Sequence, residues 1–200
     1  SWSSGATVLA GDYLFARAAS LAAATDNVRV MSIFSNTLMA ICSGELRQIF
    51  DRHCVPAVDT EEALQAAQRS YDERIHAKTA SLIAAATEAA AVLGGGSEAQ
   101  LTALRDYGLL LGASFQIIDD VLDFEGDEEV LGKPVGSDLR EGIVTLPVLY
   151  YMRTNPGDDR VAAVVQHGGK DRLVGELVAD IRASGAVSKA MDRARDYIAR

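Results

Sequence analysis

The stretch Phe115-Gln116-Ile117-Ile118-Asp119-Asp120-Val121-Leu122-Asp123 sets three carboxylates into an otherwise apolar segment, and few arrangements of a chain tolerate that. At about 3.6 residues per turn, Gly112, Gln116, Asp119, Asp120 and Asp123 share one stripe of a helix, while Leu109 to Leu111, Phe115, Ile117, Ile118, Val121, Leu122 and Phe124 cover the rest. A helix apolar nearly all round is expected to be buried. Carboxylates carried inward by such a helix repel one another and must be protonated, paired or bound to metal. With no His or thiol nearby, the hard oxygen set suits Mg²⁺, which keeps several waters and shares its remaining positions with phosphate oxygens. The segment therefore reads as a phosphate or diphosphate handle. The plain alternative is an acidic helix end running into solvent from Asp119 to Glu129. A calcium loop starting at Asp123 fails, because its sixth position is Glu128 where glycine is needed and its twelfth is Pro134 where a bidentate acid is needed.

Directly after the acidic helix, Gly132-Lys133-Pro134-Val135-Gly136-Ser137-Asp138-Leu139-Arg140-Glu141-Gly142 forms a glycine-punctuated segment that can close over an anion. Lysine is rare in this chain, at positions 78, 133, 170 and 189, so a lysine here is notable. Asp119-Asp120-Val121-Leu122-Asp123 with the segment from Gly132 to Pro147 resembles the second aspartate-rich motif and following loop of the trans-type polyprenyl diphosphate synthases. The likeness extends upstream through Gly11-Asp12-Tyr13-Leu14-Phe15-Ala16-Arg17-Ala18, Gly44-Glu45 with Gln48, and Tyr71, Ile75, Lys78 and Thr79 in the same order. It is strong from residue 2 to about 154 and fades beyond.

The resemblance implies a Mg²⁺-dependent transferase that condenses an allylic diphosphate with isopentenyl diphosphate head to tail, releasing diphosphate and making a longer trans-polyprenyl diphosphate of farnesyl, geranylgeranyl or greater length. The allylic diphosphate is held by metal between two aspartate-rich motifs; ionisation leaves an allylic cation, which the isopentenyl double bond attacks. Such chemistry needs charge stabilisation on the leaving group and no activated nucleophile, so the lack of a Ser/His/Asp or Cys/His arrangement is expected. By the same resemblance Asp119 and Asp120 are metal ligands, with Asp123 and Asp138 as further members of the metal shell. Gln116, Lys78, Thr79 and Lys133 are substrate-binding residues, Lys78 and Lys133 serving the leaving group. A homodimer in the cytoplasm is implied as well. From the residues alone, Lys78 also reads as a surface lysine lying along apolar neighbours.

Two departures stand out. Synthases of this kind often carry a second lysine just before Val144-Thr145-Leu146-Pro147, where this chain has Ile143. Their first aspartate-rich motif and the basic residues for isopentenyl diphosphate lie upstream of the segment matching Trp2 to Arg17, so residues 1–200 are expected to be one all-α domain lacking its N-terminal helices. Product length, set beside that first motif, is not legible. A non-catalytic or regulatory subunit of a heteromeric synthase is the alternative function, and a class I terpene cyclase fits the loop from Gly132 to Pro147 less well.

With 200 residues, 48% of them hydrophobic, the chain can bury one sizeable core. A net charge of −9 argues against nucleic acid or an anionic membrane as partner. Cys42 and Cys54 have no metal-type spacing and read as reduced thiols. No run of 18 apolar residues suggests a transmembrane segment, and no signal-peptide pattern appears. Helical periodicity dominates: Val8 to Ala23; a second segment capped by Thr25 or Asp26 and reaching His53; and a long helix opened by Asp59 with Glu62, running to Leu93 over about 50 Å. Ser97 with Gln100 caps the helix that carries the aspartates. Thr145 caps the next, with Pro147 in its first turn, and shorter helices follow at about Asp158 to His167, Arg172 to Ala183 and Ala186 to Ile198. Asp72 and His76 are spaced for an i,i+4 pair, and Glu45 with Gln48 reads equally as a buried pair or as polar groups of a cavity. The expected architecture is an all-α bundle of antiparallel helices around a central substrate cavity.

Overall fold

The computed structural model describes residues 3–126 and 134–200, and every regular element among them is a helix. In order these are α1 (Ser4–Ala23), α2 (Val28–Asp51), α3 (Glu61–Ile75), a π-helical turn over His76–Ala80, α4 (Ser81–Leu93) and α5 (Glu98–Glu125). After them come the short α6 (Ser137–Arg140), α7 (Leu146–Thr154), α8 (Arg160–His167), α9 (Asp171–Ala183) and α10 (Ala186–Ile198). No described helix is long and apolar enough to cross a membrane. Both cysteines are free.

Local chemistry sets the boundaries, at places displaced from the expected ones. The cap of α2 is Asn27, whose side-chain oxygen accepts from the Arg29 and Val30 amides, while Thr25 closes the end of α1 by donating to the Ala22 carbonyl. Thr60, rather than Asp59, caps α3 through the Ala63 amide. The cap of α5 is the expected one, a reciprocal box between Ser97 and Gln100. Thr145 stands at the cap position of α7, but its side chain makes no cap bond.

The expected continuous helix from Asp59 to Leu93 is divided by the π turn, which inserts one extra residue per turn and offsets the faces of α3 and α4. Nothing in the periodicity marks this, because the residues on both sides remain helical. The two halves pack on different partners. Tyr71 and Ile75 of α3 enter a core shared with α5 and α7 to α10, whereas α4 lies along α5. The α4 contact is close enough to require glycine. A Cβ on Gly108 would lie 2.5 Å from Ala84 Cα, and one on Gly112 would lie 2.5 Å from Ala80 Cα.

α5 is the central strut, with α4 and the π turn along one side and α10 along another. Ile117, Val121 and Phe124 are wholly buried in the core, but the helix is not covered all round as its composition suggested. Phe115 is 61% exposed and Leu111 and Leu122 are about 40% exposed, since no described element covers that stripe. Likewise α1 buries no residue, and Val8, Leu14 and Phe15 remain exposed.

Candidate functional site

α5, the α3 to π-turn junction, the C-terminal half of α2 and the segment from Asp138 to Thr145 enclose a cleft of about 70 Å³. Its lining includes Gln48, Lys78, Gln116, Asp119, Asp120 and Asp138. Five of the predicted site residues therefore converge on one space, and Thr79 adjoins it through its bond to Gln116.

Asp119 is exposed and Asp120 is 5% exposed, so adjacent carboxylates on one helix face very different surroundings. Asp120 is tied on both oxygens: the Tyr71 hydroxyl donates to Oδ2 at 2.7 Å and the Gln116 amide to Oδ1 at 2.9 Å. Gln116 in turn accepts from the Thr79 hydroxyl at 2.6 Å. A chain of donors thus runs from the π turn to α5, and it fixes which end of the Gln116 amide faces Asp120. Desolvation nevertheless pushes the Asp120 carboxyl up to about 6, despite the lowering effect of Gln116, Tyr71 and the Arg74 charge. Burial, with the Asp120 charge and hydrogen bond behind it, raises the Tyr71 phenol well above its usual range, so Tyr71 remains a donor.

Lys78 is not a free surface lysine. Its ammonium donates to Gln48 Oε1 at 3.3 Å and lies 3.8 Å from Glu45 Oε1. Of the Glu45 and Gln48 pair, left open by the sequence, Gln48 lines the cleft, and both residues hold the lysine. Asp72 pairs with Arg193 of α10 and not with His76.

Asp123 is only 1% exposed and is not among the residues that line the cleft. Its carboxylate accepts from Ser137 Oγ at 2.7 Å and from the Asp138 amide at 3.2 Å, and its carbonyl accepts from the Gly136 amide. It ties the returning segment to α5 and so positions Asp138. Lys133 lies outside the described residues. The arrangement also contains groups that spacing alone did not assign. Tyr71 holds Asp120, Arg74 donates to the Val144 carbonyl at 2.6 Å, and the Thr145 hydroxyl is buried with no partner among the described residues. Tyr71 and Arg74 precede Lys78 by seven and four residues, about two helical turns and one, which is the sequence signal they leave.

The described residues contain no cluster of three or more metal-type side chains. Two adjacent carboxylates facing a polar cleft, with Asp138 beside them, instead offer an all-oxygen partial shell. Such a set fits Mg²⁺, which takes one or two carboxylates and completes its octahedron with water and phosphate oxygens.

A sequence profile described as "Polyprenyl synthetase" matches residues 1–181. The chain is 38% identical over 195 residues to an octaprenyl diphosphate synthase of Haemophilus influenzae, covering 96% of this chain and 56% of that protein. It is 41% identical over 182 residues to heptaprenyl diphosphate synthase component 2 of Geobacillus stearothermophilus, covering 91% and 53%. Among solved structures, heptaprenyl diphosphate synthase from Staphylococcus aureus superposes with a TM-score of 0.89 at 33% identity, over 99% of this chain and 59% of that one. A polyprenyl synthase from Caulobacter crescentus complexed with calcium and isoprenyl diphosphate gives 0.86 at 38%, over 96% and 57%. The chain spans little more than half the length of these relatives.

Proposed function

Because the chain belongs to the polyprenyl synthetase family, we propose that its cleft activates an allylic diphosphate for condensation with isopentenyl diphosphate, in a prenyltransferase that lengthens trans-polyprenyl diphosphates. One observation carries the reading: Asp119 and Asp120 on α5 and Lys78 on the π turn line the same cleft, so an acidic and a cationic wall share one space. Asp119 and Asp120, with Asp138 beside them, are the residues that would hold Mg²⁺. When bound, the metal supplies charge neutralisation to the departing diphosphate.

The protein's own groups do the rest. Gln48 and Glu45 hold the Lys78 ammonium at the cleft, where it binds diphosphate oxygens as a point charge. Thr79 and Tyr71, acting through Gln116 and directly, keep Asp120 in one orientation and supply donors to both its oxygens. Asp123 anchors the segment that carries Asp138, so that the third carboxylate arrives on a backbone already tied to α5. No side chain need act as a strong base, since the released diphosphate can accept the proton lost after carbon–carbon bond formation.

A non-catalytic subunit would have no use for a maintained donor chain onto a buried carboxylate, and that chain favours the enzyme. In the complete prenyltransferase, Asp119→Ala is expected to lower turnover by orders of magnitude at saturating Mg²⁺ with circular dichroism unchanged. Parental turnover in that variant would refute the reading.

A further inference from the structure

The cleft has a larger neighbour, a cavity of about 210 Å³ between the end of α2, the connector from Arg52 to Pro56, α3 and the segment from Gly142 to Val144. The two spaces share Gln48, Arg74 and Ile143 in their linings. Arg74 is thus part of the partition between them. Its guanidinium is held in place by donating to the Val144 carbonyl at 2.6 Å and by lying 5.4 Å from the centre of the Tyr71 ring, the same tyrosine that bonds Asp120.

Arg74 differs from its peers in what it lacks. Arg140, Arg160 and Arg193 are comparably half-buried, and each holds a carboxylate, Asp171, Asp158 with Asp180, and Asp72 respectively. Among the described residues Arg74 has no carboxylate within ion-pair distance, and its only hydrogen bond is to a neutral carbonyl. A guanidinium in the wall of a polar cleft with most of its donors unused is placed to receive an anion. Independently, the Thr145 hydroxyl at the same cleft is 3% exposed and has no partner among the described residues. A buried hydroxyl in that state points to a group that is present in the working molecule and bears oxygen.

We propose that Arg74 is a further diphosphate-binding cation of this cleft, reaching the anion from α3 beside the apolar Ile143, with the Thr145 hydroxyl completing the oxygen contacts. The inference rests on the diphosphate reading above. Arginine's planar fork suits two oxygens of one phosphoryl group, whereas Lys78 offers a point charge, so the two cations divide orientation and charge between them. The competing role is a plain clamp that ties α3 to the Val144 segment.

The test is calorimetric titration of inorganic diphosphate in Mg²⁺ into the purified protein, its Asp119→Asn, Arg74→Leu, Arg74→Lys and Ile143→Lys variants, and the Arg74→Leu/Ile143→Lys double variant, with a thermal melt of each. Arg74→Leu is expected to weaken binding about tenfold or more while its melting temperature stays close to the parent's. Arg74→Lys should retain part of the affinity. Ile143→Lys should restore binding in the Arg74→Leu background by a larger factor than it improves the parent, because in the parent the position is already served. If Arg74→Leu binds as tightly as the parent while Asp119→Asn does not bind, Arg74 is a clamp and the diphosphate reading stands. If the parent binds no diphosphate, both fall. Should Arg74→Leu not fold, Arg74→Lys with lowered stability and parental affinity, or Ile143→Lys acting equally in the Arg74→Lys and parental backgrounds, would also overturn the proposal.

Discussion

At the scale of single residues, Asp120 carries its carboxyl into a buried position that disfavours its charge. Its folded-state carboxyl titrates at about 6, above the ordinary carboxylate range, with desolvation as the main cause. The sign of the linkage follows. A carboxyl that binds its proton more tightly in the folded state contributes stability below the unfolded pKa of about 4, and that contribution is lost as pH rises through about 6. In metal-free buffer near pH 7.5, Asp120→Asn is therefore expected to raise the melting temperature, by roughly 5 °C if about 2 kcal/mol of strain is relieved. The gain should shrink towards zero near pH 4. Differential scanning fluorimetry across that range checks the slope, and Mg²⁺ should stabilise the parent but not the variant. The sequence made Asp119 and Asp120 legible because two adjacent acids in an apolar helix have few explanations. It did not separate their roles. Burial of one and exposure of the other depends on Tyr71 arriving from another helix 49 residues earlier, and no local pattern encodes that meeting.

At the scale of elements, most helices were legible from period and composition, while their joints were not. Caps shifted by one or two residues because Asn27 and Thr60 outcompeted neighbouring candidates, and the π turn is invisible to a reading that counts only apolar repeats. Glycine spacing, by contrast, carried a message that was missed: Gly108 and Gly112 are four residues apart on the face that meets α4. Gly112→Ala is expected to cost about 1 to 3 kcal/mol through overpacking against Ala80, and to stretch the Thr79 to Gln116 bond as well. Urea denaturation gives the first effect and diphosphate titration the second. A second joint is the entry to α8, where Asp158 accepts from Arg160 and from the Tyr151 hydroxyl and Arg160 also reaches Asp180 of α9. The Arg160 hydrogen bonds, followed by that from Tyr151, hold the Asp158 carboxyl well below its usual range. Its folded pKa is depressed, so this contribution is present above the unfolded pKa and is lost as pH falls through the acid range. Asp158→Asn should destabilise the protein by about 1 to 3 kcal/mol at neutral pH, and the penalty should diminish as the parent acidifies.

At the scale of the whole molecule, the chain exposes 11373 Å², against about 9,100 Å² for a compact monomer of its mass. The surplus of roughly 2,300 Å² is of the size that a stable interface removes. It coincides with exposed apolar side chains on α1, on α2 at Met39, Ile49 and Phe50, and on α5 at Tyr107, Leu111 and Phe115. The purified chain is accordingly expected to sediment as a dimer, and Phe115→Asp to shift it towards the 21.2 kDa monomer. Sedimentation velocity at several concentrations reads the change. The π turn has a consequence that belongs to this scale. Its surplus residue is trapped between two committed stretches, α3 locked into the core by Tyr71 and Ile75, and α4 seated on the glycines of α5. It behaves like a dislocation pinned between two crystal grains, unable to migrate while both sides hold. Loosening either side lets the defect anneal into ordinary helix, which would turn Lys78 and Thr79 about the axis and break their alignment with Gln48 and Gln116. In this protein the cleft can thus be dismantled by a slip of one residue while every helix survives.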